Sequence, residues 1–157
     1  AHGGGIRSIA GTLTFAPTSR RAMKEGRYPI TRIGLFKMLE GVITQWESEL
    51  KYNDVKLTHY PNAKLYDPAR KFSPMECKVL ESRHTRRRRS VAFQITRLYI
   101  DKKTNLPVRA EQYGFPITAG GKPVLLEEYT YWNIRTNVGL KDIDFDTQNP
   151  NYNYKKK

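Results

Sequence analysis

The chain is 157 residues long, 38% hydrophobic and carries a formal charge of +13 at neutral pH. That length suits one domain with a modest core, and the charge points to an anionic partner: nucleic acid, an acidic membrane surface or an acidic protein. One cysteine, Cys77, excludes an internal disulfide and a cysteine-based zinc site, and no apolar run reaches the length of a membrane helix.

Taken in order, Gly3-Gly4-Gly5 reads as a flexible stretch or a tight turn. It lacks the Lys-Ser/Thr that completes a phosphate-binding loop. Residues 6–15 read as a short strand with Leu13 and Phe15 on one side, broken at Pro17-Thr18-Ser19. Arg27-Tyr28-Pro29-Ile30 then leads into one clear helix, for which Thr31 is the expected N-cap. Leu35, Leu39, Val42, Ile43, Trp46 and Leu50 recur at helical spacing, while Glu40, Glu47, Glu49 and Lys51 fall mostly off that stripe. Trp46 could stack on a ligand, but a Trp inside an apolar helical stripe is more often core, and core is the favoured reading. The helix should cover one face of a sheet.

From residue 55 the pattern turns strand-like. Residues 55–60 alternate and Pro61-Asn62 interrupts them. Residues 75–82 form the next expected strand, with Cys77, Val79 and Glu81 on one side and Lys78, Leu80 and Ser82 on the other. His59 and His84 have no third ligand in sight, so no metal is expected and both read as surface histidines. Arg86, Arg87, Arg88 and Arg89 make the most charged stretch. They read first as a solvated hairpin tip and second as a grip for phosphates or anionic lipid headgroups. The aromatic residues that reading of bases requires lie in the strands away from this loop, so nucleic acid is not the expected partner.

Residues 93–115 read as a hairpin whose register can be derived. If Lys103-Thr104-Asn105 is the loop and Asn105 is left-handed, Arg97 faces Glu111, Leu98 faces Ala110, Tyr99 faces Arg109 and Ile100 faces Val108. A slip by one residue would set Leu98 against Arg109 and mix the two faces. A tight turn at Gly120-Gly121 would bring Tyr129 and Tyr131 beside Gln112 and Ala110, and Trp132 beside Arg109. The strand over residues 124–135 ends at Asn137 and Gly139, and residues 141–145 suit one helical turn. The fold class is therefore α+β: an antiparallel sheet packed with one main α-helix.

Three stretches carry a family resemblance. Leu98-Tyr99-Ile100-Asp101 with Leu106-Pro107-Val108-Arg109 resembles the "D…LPxR" hairpin of the lipoprotein-carrier superfamily, which includes LolA, LolB and related anti-sigma regulators. Residues 129–145, YTYWNIRTNVGLKDIDF, resemble the strand and "N…L.D..F" ending of that group. Arg27-Tyr28-Pro29-Ile30 and Asn149-Pro150-Asn151-Tyr152 resemble an uncharacterised planctomycete-type branch of it. The resemblance implies a curved sheet, an incomplete β-barrel, in a single domain over residues 1–152 followed by a basic tail at 153–157. It also implies that the family's N-terminal helix and first strands are missing before Ala1, which leaves an open sheet edge for another chain or an upstream fragment. The four-arginine loop is not part of the shared pattern.

What the resemblance implies for function is a non-enzymatic, extracytoplasmic protein of the bacterial cell envelope. It would carry a lipid or a lipoprotein acyl chain in an apolar concave face, with no cofactor. By alternation, Leu98, Ile100, Val108, Ala110, Tyr129 and Tyr131 would line that face, though the same alternation suits a filled core. Arg86–Arg89 would hold the protein near an anionic membrane surface. The alternative is a structural or assembly subunit that docks on an acidic partner through its basic surface and open edge. Catalysis has the least support: Glu127 and Glu128 point to opposite faces of one strand, and Cys77 lacks an evident His partner.

Overall fold

The computed structural model describes residues 16–24 and 28–152. The glycines at 3–5, the strand expected over 6–15, Arg27 and the tail at 153–157 lie outside the described residues. The chain divides into two compact units, Arg32–Ile134 and the pair of segments Ala1–Thr31 and Arg135–Lys157.

The larger unit contains α1 (Leu35–Glu49) and five strands: β1 (Val55–Leu65), β2 (Met75–His84), β3 (Ile95–Asp101), β4 (Pro107–Gly114) and β5 (Val124–Thr130). The strands form one antiparallel sheet in the order β1-β2-β3-β4-β5, open at both edges and not closed into a barrel. Short connections between sequential strands produce this meander. The fold class is α+β, as the pattern predicted.

Thr31 does not cap α1. It lies in a 3₁₀ turn, Ile30–Arg32, and Gly34 takes the N-cap with φ of 120°. Only glycine adopts that backbone freely. Gly34 has no side chain with which to cap, and its own N–H donates to the Tyr131 hydroxyl at 3.2 Å.

The apolar stripe of α1 is rotated slightly from the expected one. Met38 and Val42 are buried against Leu98 and Ala110, with Leu35, Leu39 and Trp46 packed around them. Ile43 and Leu50 are exposed, and Glu49, expected off the stripe, is buried. Buried Met38, Val42 and Glu49, with half-buried Gln45 and Trp46, still follow helical spacing, and polar Gln45 and Glu49 join Trp46 in the C-terminal half of α1.

The central hairpin has the predicted register at three pairs, Arg97↔Glu111, Leu98↔Ala110 and Tyr99↔Arg109, and Asn105 is left-handed with φ of 57°. Asp101 organises the loop by accepting from the Lys103 and Thr104 N–H groups and from the Thr104 hydroxyl. The fourth pair differs. Ile100 faces Pro107, and Val108 is the extra residue of a bulge. The bulge turns Val108 to the face opposite α1, where it packs with Leu65 and Cys77.

Three further differences are local. β1 continues through Pro61 to Leu65, because a bulge between Tyr60 and Ala63 absorbs the proline on an edge strand. β5 pairs Tyr129 with Ala110 and Glu127 with Gln112, two residues from the expected register, because the 115–123 connection is no two-residue turn and Leu126 is bulged. β5 also stops at Thr130 rather than at 135; Asn133 has φ of 52°, which no strand accommodates.

In the smaller unit, Asp142–Phe145 forms the expected single turn, preceded by Asn137 and Gly139 with positive φ. The Asn149 side chain donates to Ile143 O at 2.8 Å, and the Tyr152 hydroxyl donates to Asp144 O. These contacts give the Asn149–Tyr152 stretch a local role.

Candidate functional site

Alternation places two chemically different surfaces on the sheet. On the α1 face, Leu98, Ile100, Ala110, Tyr129 and Tyr131 come together beneath the first half of the helix. Five of the six residues predicted to line one apolar wall therefore share it, and Val108 does not. They pack with the α1 side chains Leu35, Met38, Leu39, Val42 and Trp46.

The second half of α1 is held by polar contacts. Trp46 Nε1 donates to Ser82 Oγ at 2.8 Å, which makes this Trp core with a fixed orientation. Gln45 Nε2 donates to Thr96 Oγ1 at 2.9 Å and to Glu49 Oε1 at 3.0 Å, and Gln112 Nε2 donates to Gln45 Oε1 at 2.6 Å. His84 is not a surface residue: it is 1% exposed, with Nε2 at 3.0 Å from Glu49 Oε2. The approach is off the hydrogen-bond direction, and His84 Nδ1 has no protein partner among the described residues. His84 ends up buried because β2 runs on to it and its side of the strand faces the last turn of α1. His59 is exposed, as expected.

The opposite face carries a charge ladder. Arg97 pairs with Glu81 at 2.6 Å, and Arg109 pairs with Glu111 and Glu128 at 2.7 Å each. Glu111 Oε2 also accepts from Tyr99 at 3.2 Å and from Tyr113 at 2.9 Å. Burial, with the Glu111 charge beside it, pushes the Tyr99 phenol up to about 12. At the far end of this face, Phe72 stacks on Trp132 with centroids 6.3 Å apart. Trp132 is thus not Arg109's partner; Arg109 lies over Tyr99 at 5.7 Å instead. Cys77 is wholly buried beside Val108, and burial followed by the Asp101 charge raises its thiol pKa, so it is no ready nucleophile.

The arginine loop joins β2 to β3, as a hairpin tip should, but it is anchored. Arg88 bonds to Asp54 Oδ1 through Nη2 at 2.9 Å and Nε at 3.2 Å, and lies 4.9 Å over the Tyr52 ring. The Arg86 N–H donates to Asp54 Oδ2 at 3.1 Å. The Arg88 hydrogen bond leads the interactions that hold the Asp54 carboxyl below the usual range. Arg87 lies 5.9 Å over Phe115. Aromatic rings are therefore beside the loop, contrary to the expectation from sequence: Tyr52 follows α1 and Phe115 follows β4, and the sheet returns both connections to the same end. Arg87, Arg88 and Arg89 share a groove of about 440 Å³ with Val91, Phe115, Ile117, Val124 and Leu126.

Among the described residues, no three His, Cys, Asp or Glu side chains converge as metal ligands, and no helix is long and apolar enough to cross a membrane. Glu127 is buried facing Gln112 while Glu128 is exposed and paired with Arg109, so the two carboxylates do lie on opposite faces.

Fold and surfaces together define a class: a basic α+β protein with one helix on an open five-stranded sheet and an arginine-lined groove at one end. The chain belongs to the DUF1571 family, described as a protein of unknown function, which matches it over residues 1–154. No curated protein and no solved structure matches it.

Proposed function

We propose that this chain is a non-enzymatic, extracytoplasmic carrier that holds a lipid or a lipoprotein acyl chain, and that its family is a branch of the lipoprotein-carrier superfamily. The observation that carries the reading is the division beneath α1. Its first half rests on an apolar wall of Leu98, Ile100, Ala110 and Tyr129, and its second half is pinned by directional polar bonds. Such a helix can lift at its apolar end while the polar end holds, and the bond from the Gly34 N–H to the Tyr131 hydroxyl is the latch that would release. An acyl chain taking the place of the helix against that wall would gain about 0.8 kcal/mol per buried CH₂. Val108, on the other face, has no part in it.

The test is solvent extraction and mass spectrometry of the purified protein, joined to titration with a fluorescent fatty acid. Copurifying lipid, and probe binding that Ala110→Trp abolishes, would support the carrier. Lipid-free protein with no probe binding would remove it.

A second reading, an assembly subunit, rests on a contrast between the sheet edges. β1 bears Lys56, Pro61, Lys64 and a bulge, the usual guards of an edge strand. β5 has neither lysine nor proline and exposes Val124, Leu125 and Leu126, with Leu126 in its one bulge. Light scattering tests it: a monomer at all concentrations, with no acidic chain bound, excludes it.

A further inference from the structure

The antiparallel meander returns three connections, residues 50–54, 85–94 and 115–123, to one end of the sheet. They contain Lys51, Arg86, Arg87, Arg88, Arg89 and Lys122 against a single carboxylate, Asp54. Arg88 already occupies that carboxylate. Among the described residues, Arg87 and Arg89 pair with no acidic group. The same end exposes large apolar side chains: Ile117 is 87% exposed and Leu50 76%. Val124 and Leu126, both exposed, line the groove between Ile117 and the arginines.

Charge alone would suit any polyanion. Two features select among them. A single-stranded nucleic acid would stack its bases on free aromatic faces, and here Arg88 covers Tyr52 and Arg87 covers Phe115. An acidic solute in water would gain nothing from Ile117 and Leu50 standing among the cations. A bilayer interface uses both: guanidinium groups fork onto headgroup phosphates while apolar tips enter the acyl boundary. The Asp54 anchor then has a purpose, because it fixes the loop that places Arg87 and Arg89 in one groove with Ile117, Val124 and Leu126.

We propose that this end of the sheet docks on an anionic phospholipid bilayer, Arg87 and Arg89 binding headgroup phosphates and Ile117 entering the acyl boundary. The surface is separate from the wall beneath α1, so the docking stands or falls independently of the carrier reading.

Vesicle flotation of the full chain tests it, with phosphatidylcholine alone and with phosphatidylcholine mixed with phosphatidylglycerol. The chain should float with the mixed vesicles and not with the neutral ones. Arg87→Glu/Arg89→Glu should weaken binding by at least about tenfold, given the usual strength of basic side chains at anionic membranes. Ile117→Asp should also weaken it, most visibly at high salt. All three side chains are exposed, so thermal melting should not change, and a matched melting curve confirms that each variant is folded. Equal binding to neutral vesicles, or wild-type binding by Ile117→Asp, would overturn the proposal. So would release by inorganic phosphate at constant ionic strength, which marks a free-anion site. Filter retention of a single-stranded oligonucleotide with no vesicle binding would assign the surface to nucleic acid instead.

Discussion

Gln112 donates its side-chain N–H to Gln45 Oε1 at 2.6 Å, and this bond ties the middle of the sheet to the covering helix. Gln45 passes the connection on, donating to Thr96 and to Glu49. The group is buried on the sheet side, where an unmatched amide oxygen is expensive. Gln112→Ala should therefore cost about 1–3 kcal/mol, and Gln45→Ala should cost more because it also strips the buried Thr96 hydroxyl and Glu49 carboxylate of their donor, with the double variant losing less than the sum. Denaturant midpoints for the single and double variants measure this, and additive losses would show that the two amides do not act together.

Tyr99 gives the pH prediction on the alkaline side. Its phenol is pushed up to about 12 from an ordinary 10.0, first by burial and then by the Glu111 carboxylate. Between those values the folded protein keeps a proton that the unfolded chain has released. The stability this lends is complete below about pH 10 and lost as the pH rises towards about 12. Glu111→Gln removes the neighbouring negative charge, so Tyr99 should ionise at lower pH in that variant, seen in the tyrosinate absorbance. An unchanged titration would mean that burial alone sets the shift.

What could be read from the sequence was what alternation and turn chemistry encode locally. Leu98 opposite Ala110 and Arg97 opposite Glu111 followed from one left-handed Asn, and the structure has both pairs. Bulges defeat such reasoning because one extra residue shifts the phase without altering composition; Val108 changed faces for that reason. The β4–β5 register slipped by two, and an even slip preserves faces, so Tyr129 was still grouped correctly with Ala110. The arginine loop shows the other limit. Asp54 and Tyr52, its anchors, lie more than thirty residues upstream of Arg88, joined to it only by the sheet's connectivity. The single usable signal was that Asp54 is the lone carboxylate in the stretch leaving α1.

Asn105 should accept one substitution and refuse others. Its φ of 57° suits glycine and asparagine, whereas a β-branched residue there is strained. Asn105→Gly should leave stability within about 0.5 kcal/mol, and Asn105→Val should cost about 1–2 kcal/mol. Thermal melts of the two variants compare them directly. Equal losses would mean that the asparagine side chain, and not its backbone, supports the hairpin.

Asp54→Ala should free the arginine loop without unfolding the sheet. The carboxylate binds Arg88 through two nitrogens and the Arg86 amide, and the Asp54 carbonyl accepts from the Thr85 N–H, a bond the variant keeps. Trypsin needs a flexible segment around its target arginine, so cleavage within 86–89 should be faster in the variant while the rest of the digestion pattern stays the same. Asp54→Asn, which keeps an acceptor but loses the charge, should fall between the two. Salt should speed wild-type cleavage less than it would for an exposed pair, since Asp54 is largely covered by the loop it holds and its side chain is only 10% exposed. If wild type and Asp54→Ala are cut at the same rate, the loop is held by other contacts, and the fixed placing of Arg87 and Arg89 beside the groove loses its cause.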